Sequence, residues 1–228
     1  MNDTPLNISP EDLTGSNPRA ASMRLKAKSL SQAYGQRRHD LRIGPQPKYV
    51  DPNRQHLNRI LISPRPLPEI RRDVIALRKQ AGAKRGMKSN AAVVTAGIIT
   101  FGHEAQKLFL DLSLDQQDAA FRELAQAIAD RLGTSLEALT VHCDESAIHA
   151  HLELRALNHA GVPLSKSTRP TVMGELQDLV FEVMSRHCHG IERGNRKYDR
   201  LAVGANYAAP VSKSFRKLHH DLPLEIEA

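Results

Sequence analysis

The chain has no tryptophan, four tyrosines, five phenylalanines and two cysteines in 228 residues. Cys143 and Cys188 cannot build a disulfide framework or a thiolate metal cluster, and the simplest compartment is a reducing cytoplasm. Aromatic content of 4% leaves little surface for stacking on nucleobases. No apolar run approaches the roughly 20 residues that span a bilayer. The opening stretch MNDTPLNISPEDL lacks the apolar segment of a secretory signal. A hydrophobic content of 40% still suffices for one core.

Acidic residues are scarce where basic ones crowd. Residues 19–90 hold 18 Lys/Arg against 4 Asp/Glu, a net of +14, whereas residues 1–18 carry −3 and residues 91–228 carry −4. A charge segregated in this way suits an anionic polymer bound by the first third of the chain. Lys26, Lys28, Arg37, Arg38 and Lys48 are the candidate contacts to DNA phosphates. The alternative is a solvated basic surface that keeps the protein soluble.

Histidine is abundant in one place. VHCDESAIHAHLELRALN, Val141–Asn158, holds His142, His149 and His151 with Asp144 and Glu145 between them. LTVHCD and IHAHLELRAL alternate as strands joined by a short polar loop. Residues i and i+2 of a strand point the same way, so His149 and His151 can converge, and His142 on the neighbouring strand can complete the set. Three neutral imidazoles with open positions suit a catalytic divalent metal, because a closed structural site would have a fourth protein ligand. Asp144 and Glu145 are either loop caps, ligand-orienting groups or acid/base groups. His103, His159, His187, His189, His219 and His220 fall at turns, a helix end or the tail and read as structural.

The remaining patterns give a fold class, α+β, with an antiparallel sheet, helices on its apolar face and an open polar face that carries the site. SMRLKAKSL alternates Met23, Leu25 and Ala27 against Arg24, Lys26 and Lys28. AAVVTAGIITF reads as a central β-branched strand. LPEIRRDVIALRKQAG, LSLDQQDAAFRELAQAIADRLG and RPTVMGELQDLVFEVMSRH read as amphipathic helices; the second has a Ser113–Gln116 capping box and a Gly133 stop. Ala33–Leu61 is rich in turn signals and is expected to be loop. Residues 1–20 read as a flexible tail, 21–195 as the working domain and 196–228 as an extension.

HxDExxxHxH, from His142 to His151, resembles the metal motif of the MobV (Mob/Pre) plasmid mobilization relaxases, single-strand endonucleases with paired histidines. RRHDLR, Arg37–Arg42, resembles the first motif of that family, and DPNRQHLNRIL, Asp51–Leu61, its second; ERG at Glu192–Gly194 adds to the likeness. The resemblance implies metal-dependent nicking of one DNA strand at an origin of transfer, through a covalent protein–DNA intermediate. His142, His149 and His151 would be the ligands of Mn²⁺ or Mg²⁺, and His39 the group that attacks the phosphodiester. Arg42 would hold the scissile or adjacent phosphate, Glu145 would tune His39 or a water, and Asn58 and Asp144 would support the site. Tyr34 and Tyr49 flank His39 and are alternative nucleophiles. The implied partners are plasmid DNA, single-stranded or hairpin, and a conjugative coupling protein. Two departures stand out: Asp40 replaces the usual Asn after the first-motif His, and Ala147–Ile148 replaces the usual Thr-Pro before His149. Two other functional readings fit the same residues: an origin-binding module with a degraded site, and a metal-dependent hydrolase of small phosphates.

Overall fold

The computed structural model describes residues 17–202 and 204. The tail expected at the N-terminus falls mostly outside them, as do His219, His220 and most of the C-terminal extension.

Six strands form one sheet: β1 (Ala20–Ser29), β2 (Arg59–Ile62), β3 (Ala92–Phe101), β4 (Leu136–His142), β5 (His149–Arg155) and β6 (Glu192–Arg193), in the order β2-β4-β5-β3-β1-β6. All pairings are antiparallel except the short β1–β6 bridge. β3 is central, as its β-branched run requires, because a strand covered on both faces needs no polar alternation. The β4–β5 hairpin sets His142 opposite His149 and Thr140 opposite His151. A slip of β5 by one residue would turn His149 and His151 into the core, so Leu139, Val141, Leu152 and Leu154, all buried on the other face, fix the register of the site.

That apolar face packs against α4 (Leu114–Arg131) and α5 (Pro170–His187), with α3 (His103–Leu110) at the sheet edge. Phe101, Phe109 and Phe121 form an aromatic cluster with ring centroids 4.5–5.9 Å apart. Each buried ring contributes roughly 2–3 kcal/mol. Gly97 lies where Leu25 and Leu152 close over the sheet; a Cβ there would stand 2.8 Å from Leu152 and 2.9 Å from Leu25. The Ser113–Gln116 capping box starts α4, and Gly133, at φ +61°, ends it.

Two expectations need correction. Ala33–Leu61 is not loop throughout: α1 (Leu30–Asp40) occupies its first part, and a 3₁₀ turn (Pro52–Leu57) leads into β2. The helix has no apolar stripe, but Ser29 and Gln32 form a reciprocal capping box that satisfies its first amides. Nor is the polar face fully open. α1 and α2 (Leu67–Gln80) lie across one end of it, where Ala33, Leu67, Ile70, Val93 and Val94 form a second small core. HEAQKLFL, passed over in the sequence, is helical as α3.

Candidate metal centre and nucleophile

The hairpin brings His142, His149 and His151 together. Their ring centroids lie 5.1 Å (142–149), 4.8 Å (142–151) and 5.0 Å (149–151) apart. Two overlapping donor sets result, His39/His142/His151 and His142/Glu145/His149, each with donor atoms within 4.8 Å of one another.

Backbone carbonyls orient the imidazoles. His142 Nε2 lies 2.9 Å from the Asp40 carbonyl oxygen, which can only accept, so the ring proton is on Nε2 and the lone pair on Nδ1. That Nδ1 is buried and has no hydrogen-bond partner among the described residues. His149 Nδ1 donates to the Ala147 carbonyl at 2.8 Å, which puts its lone pair on Nε2. The Asp40 carboxyl stands 3.7 Å from His151 Nδ1. Outer groups of this kind fix the tautomer of metal-ligating histidines and raise their basicity, and a buried lone pair without a proton to accept fits a cation. The donor set therefore suits a divalent metal.

His39 is the penultimate residue of α1, and its ring meets those of His142 and His151 edge-on at 5.3 and 5.4 Å. Arg42, at φ 54° just past the helix, folds back over it. The Arg42 guanidinium donates to both Asp144 oxygens (2.8 and 2.5 Å), to Glu145 (2.8 Å) and to the His39 carbonyl (3.0 Å). It also lies 3.1 Å from His39 Nδ1 and 3.4 Å from Nε2. A guanidinium only donates, so the nearer nitrogen, Nδ1, carries the lone pair. The proton is then on Nε2, 3.5 Å from Glu145 Oε1.

Asn58 holds the hairpin loop from below. Its side chain accepts from the Cys143 amide at 2.7 Å and donates to Asp144 at 2.7 Å. The loop is further tied by the Ile148 amide, which donates to Gln106, so Ala147–Ile148 leaves it anchored. Neither residue of that support, Gln106 nor Gln36 (which donates to Asp40 at 2.7 Å), belongs to a recognisable motif.

The site's electrostatics follow from burial. Burial lowers His39 to about 4, with Arg42 and His142 adding to the shift and Glu145 and Asp144 opposing it. Burial likewise lowers His149 to about 4 and His151 well below its ordinary value. Burial alone would raise Glu145, but His142, His149 and Arg42 overcome it and hold the carboxyl at about 2. Asp144 is held low by Arg42 and Asn58 in spite of burial. Burial pushes Asp40 up to about 7. The stability of the metal-free protein should depend on pH accordingly. Between about pH 4 and 6.5 the unfolded chain protonates three histidines that the native fold keeps neutral, while the native fold holds one extra proton, on Asp40. The net favours the unfolded state as pH falls. Thermal unfolding in a chelator should show Tm dropping from pH 6.5 to 4.5; a flat profile would mean that these rings titrate normally.

The basic residues divide. Lys26, Lys28, Arg38 and Lys48 reach the surface, wholly or in part. Arg37, expected among the DNA contacts, turns inward instead: it pairs with the buried Glu153 at 2.7 Å and donates to the Arg65 carbonyl. It ties α1 to β5, since a carboxylate buried on the sheet must find a cation. Tyr34 and Tyr49 are exposed, at 48% and 45%. His187, read as structural, pairs with Glu123 at 2.6 Å, and His159 lies against Arg155.

Comparison with known proteins gives a family and a related fold. The family profile described as plasmid recombination enzyme, Mob_Pre, matches residues 19–207. No curated relative matches the sequence. Among solved structures, the Mn-bound MobM relaxase domain with a 22-nucleotide pMV158 origin of transfer superposes with a TM-score of 0.68 at 20% identity, covering 88% of this chain and 98% of that one. A second MobM complex, with a 3′-thiophosphate strand, gives a TM-score of 0.67 at 18% identity, over 89% and 99%. The match spans more than half of the described fold and all the motifs above, and the chain belongs to the Mob_Pre family of plasmid recombination enzymes.

Proposed function

We propose that this protein is a plasmid mobilization relaxase that nicks one DNA strand at an origin of transfer and keeps the cut end bound to itself. The observation that carries this is the placement of a neutral, half-buried His39 edge-on to two of three convergent imidazoles, with Arg42 and Glu145 on its two nitrogens. Support also comes from family membership and from the MobM structures, which hold Mn and origin DNA.

His142, His149 and His151 would hold a divalent cation, with Glu145 in reach. Bound there, a Mn²⁺ or Mg²⁺ ion supplies positive charge for a non-bridging phosphate oxygen. The protein's own groups do the rest. The lone pair of neutral His39 attacks phosphorus, an N–P bond forms and the P–O3′ bond breaks. Glu145 takes the other ring proton, and the departing 3′ oxygen is protonated from water. The phosphoryl group stays activated on the histidine, so a 3′-hydroxyl can later reverse the step. Arg42, already beside the attacking nitrogen, is placed to meet the incoming phosphate. The working compartment in this reading is the cytoplasm, where plasmids reside; no helix among the described residues is long and apolar enough to cross a membrane.

The test is a supercoiled plasmid carrying the cognate origin, incubated with the protein and Mn²⁺. Relaxation with a denaturation-resistant protein–DNA adduct is expected, and EDTA should abolish both. Binding without relaxation would leave a degraded binding module. Phosphate release from small esters without DNA affinity would point to a hydrolase.

A further inference from the structure

Gln106 on α3 reaches the metal centre through a single peptide bond. Ile148, the residue before β5, is buried in the main core, and its amide donates to the Gln106 side-chain oxygen at 3.1 Å. The carbonyl of that same peptide, from Ala147, accepts from His149 Nδ1 at 2.8 Å. A peptide bond is planar, and this one is trans, so its N–H and C=O point in opposite directions. Whatever holds the N–H therefore aims the C=O. Where the MobV pattern has Thr-Pro, this chain has Ala147–Ile148. A proline would restrain the peptide covalently: its ring locks φ at about −65° and crowds the preceding residue into extended backbone. Isoleucine gives up that restraint and adds a buried donor, which must find an acceptor. Gln106 meets both needs.

We propose that Gln106 is a positioning residue of the metal centre: it holds the Ala147–Ile148 peptide so that its carbonyl fixes the tautomer and direction of His149. The proposal rests on the nicking reading for what the metal then does, but the hold on His149 is a property of the protein alone. Gln106 can act as a fixed post because α3 is itself pinned. Its neighbours Ala105 and Phe109 are fully buried in the core. The amides of Glu104 and Ala105 donate to the Pro18 carbonyl at 3.0 and 3.1 Å, and the Gly102 amide donates to the Ala20 carbonyl at 2.8 Å. Only glycine permits that approach at residue 102, where a Cβ would stand 2.3 Å from the Pro18 oxygen. Asn17 in turn donates to Glu192 at 2.9 Å and to the Arg193 carbonyl at 3.3 Å. The ERG stretch, remote from the histidines in sequence, is thus joined to His149 through residues 17–18, α3 and one glutamine.

The experiment uses the whole protein and two variants, Gln106→Leu and Gln106→Asn. The second stays polar but falls about 1.5 Å short of the amide, the length of one C–C bond. Both should weaken Mn²⁺ uptake, read by calorimetry, about tenfold, the lower end of the usual cost of losing a group that orients a metal-ligating histidine. In the metal-free protein at neutral pH, ring ¹⁵N shifts should report the Nδ1–H form of His149 in the unaltered chain and a mixture of tautomers in both variants. A general loss of stability would not move that signal. The same substitutions are then made in an Ile148→Pro protein, where no N–H needs an acceptor and the ring restrains the peptide. There Gln106→Leu should leave Mn²⁺ affinity unchanged, and any cost of the proline itself cancels in the comparison. An unaltered His149 tautomer and Mn²⁺ affinity in the two variants would overturn the proposal. So would an equal loss of affinity with and without the proline, because Gln106 would then act by a route other than the Ile148 amide. Nicking of the cognate origin is followed alongside. Its absence in the unaltered protein would overturn the nicking reading, while the tautomer of His149 judges Gln106 separately.

Discussion

Replacing His39 with alanine should eliminate the covalent protein–DNA adduct and slow nicking at least about a thousandfold, while Mn²⁺ uptake survives. The second half of that expectation does the discriminating. His39 belongs to one of the two donor sets, with His142 and His151, so geometry alone would let it serve as a ligand. Its surroundings argue otherwise. Arg42 lies 3.1 Å from its Nδ1, and a guanidinium beside a ring nitrogen disfavours a cation on that same atom. The remaining histidines and Glu145 still make a complete set without it. The readouts are an adduct band on a denaturing gel and calorimetric titration with Mn²⁺. An adduct that persists in His39→Ala would pass the role to another side chain, Tyr49 first. Loss of metal uptake along with the adduct would make His39 a ligand and leave the nucleophile unassigned.

What could be read from the sequence, and what could not, follows from where the information resides. The β4–β5 hairpin was legible because alternation is a period-two signal and histidines at i and i+2 carry their own chemistry. α4 was legible from its stripe and its caps. α1 was not, because only Ala33 and Asp40 of its eleven residues are buried. Its single local sign was the Ser29–Gln32 capping box, hidden among turn-forming residues. Charge sign marked Arg37 and Lys26 alike, yet one is sealed against Glu153 and the other faces solvent; only the fold decides which cation has a buried carboxylate to satisfy. The tautomers of His142 and His149 depend on carbonyls of Asp40 and Ala147, and backbone groups have no residue identity to read. Asp40 itself was visible as a departure from the family pattern. Its position beside His151, and the burial that raises it to about 7, were not.

The same reasoning makes Arg42→Ala the most damaging single change to the fold at this site. Asp144 and Glu145 have fully buried side chains, and the Arg42 side chain is only 7% exposed. Both carboxylates are held below their ordinary pKa, Glu145 at about 2, partly by this one guanidinium. Removing one partner of a buried ion pair strands the other, at about 3–5 kcal/mol, because the desolvation cost remains and the attraction is gone. For a domain of this size that corresponds to a Tm loss on the order of 10 °C. Asn58, His142 and His149 also help hold these carboxylates low, but they compensate only part of the loss. Two controls separate the causes. Arg42 sits at φ 54°, where any residue with a Cβ is strained, so Arg42→Gly should recover up to about 1 kcal/mol of the loss and no more. A bound divalent cation would restore positive charge beside Glu145, so the loss should be smaller in Mn²⁺ than in EDTA. Differential scanning calorimetry of both variants, with and without metal, reads these differences. A Tm within a degree or two of the unaltered protein in EDTA would mean that the two carboxylates do not depend on Arg42, and that they hold the site by some route other than this ion pair.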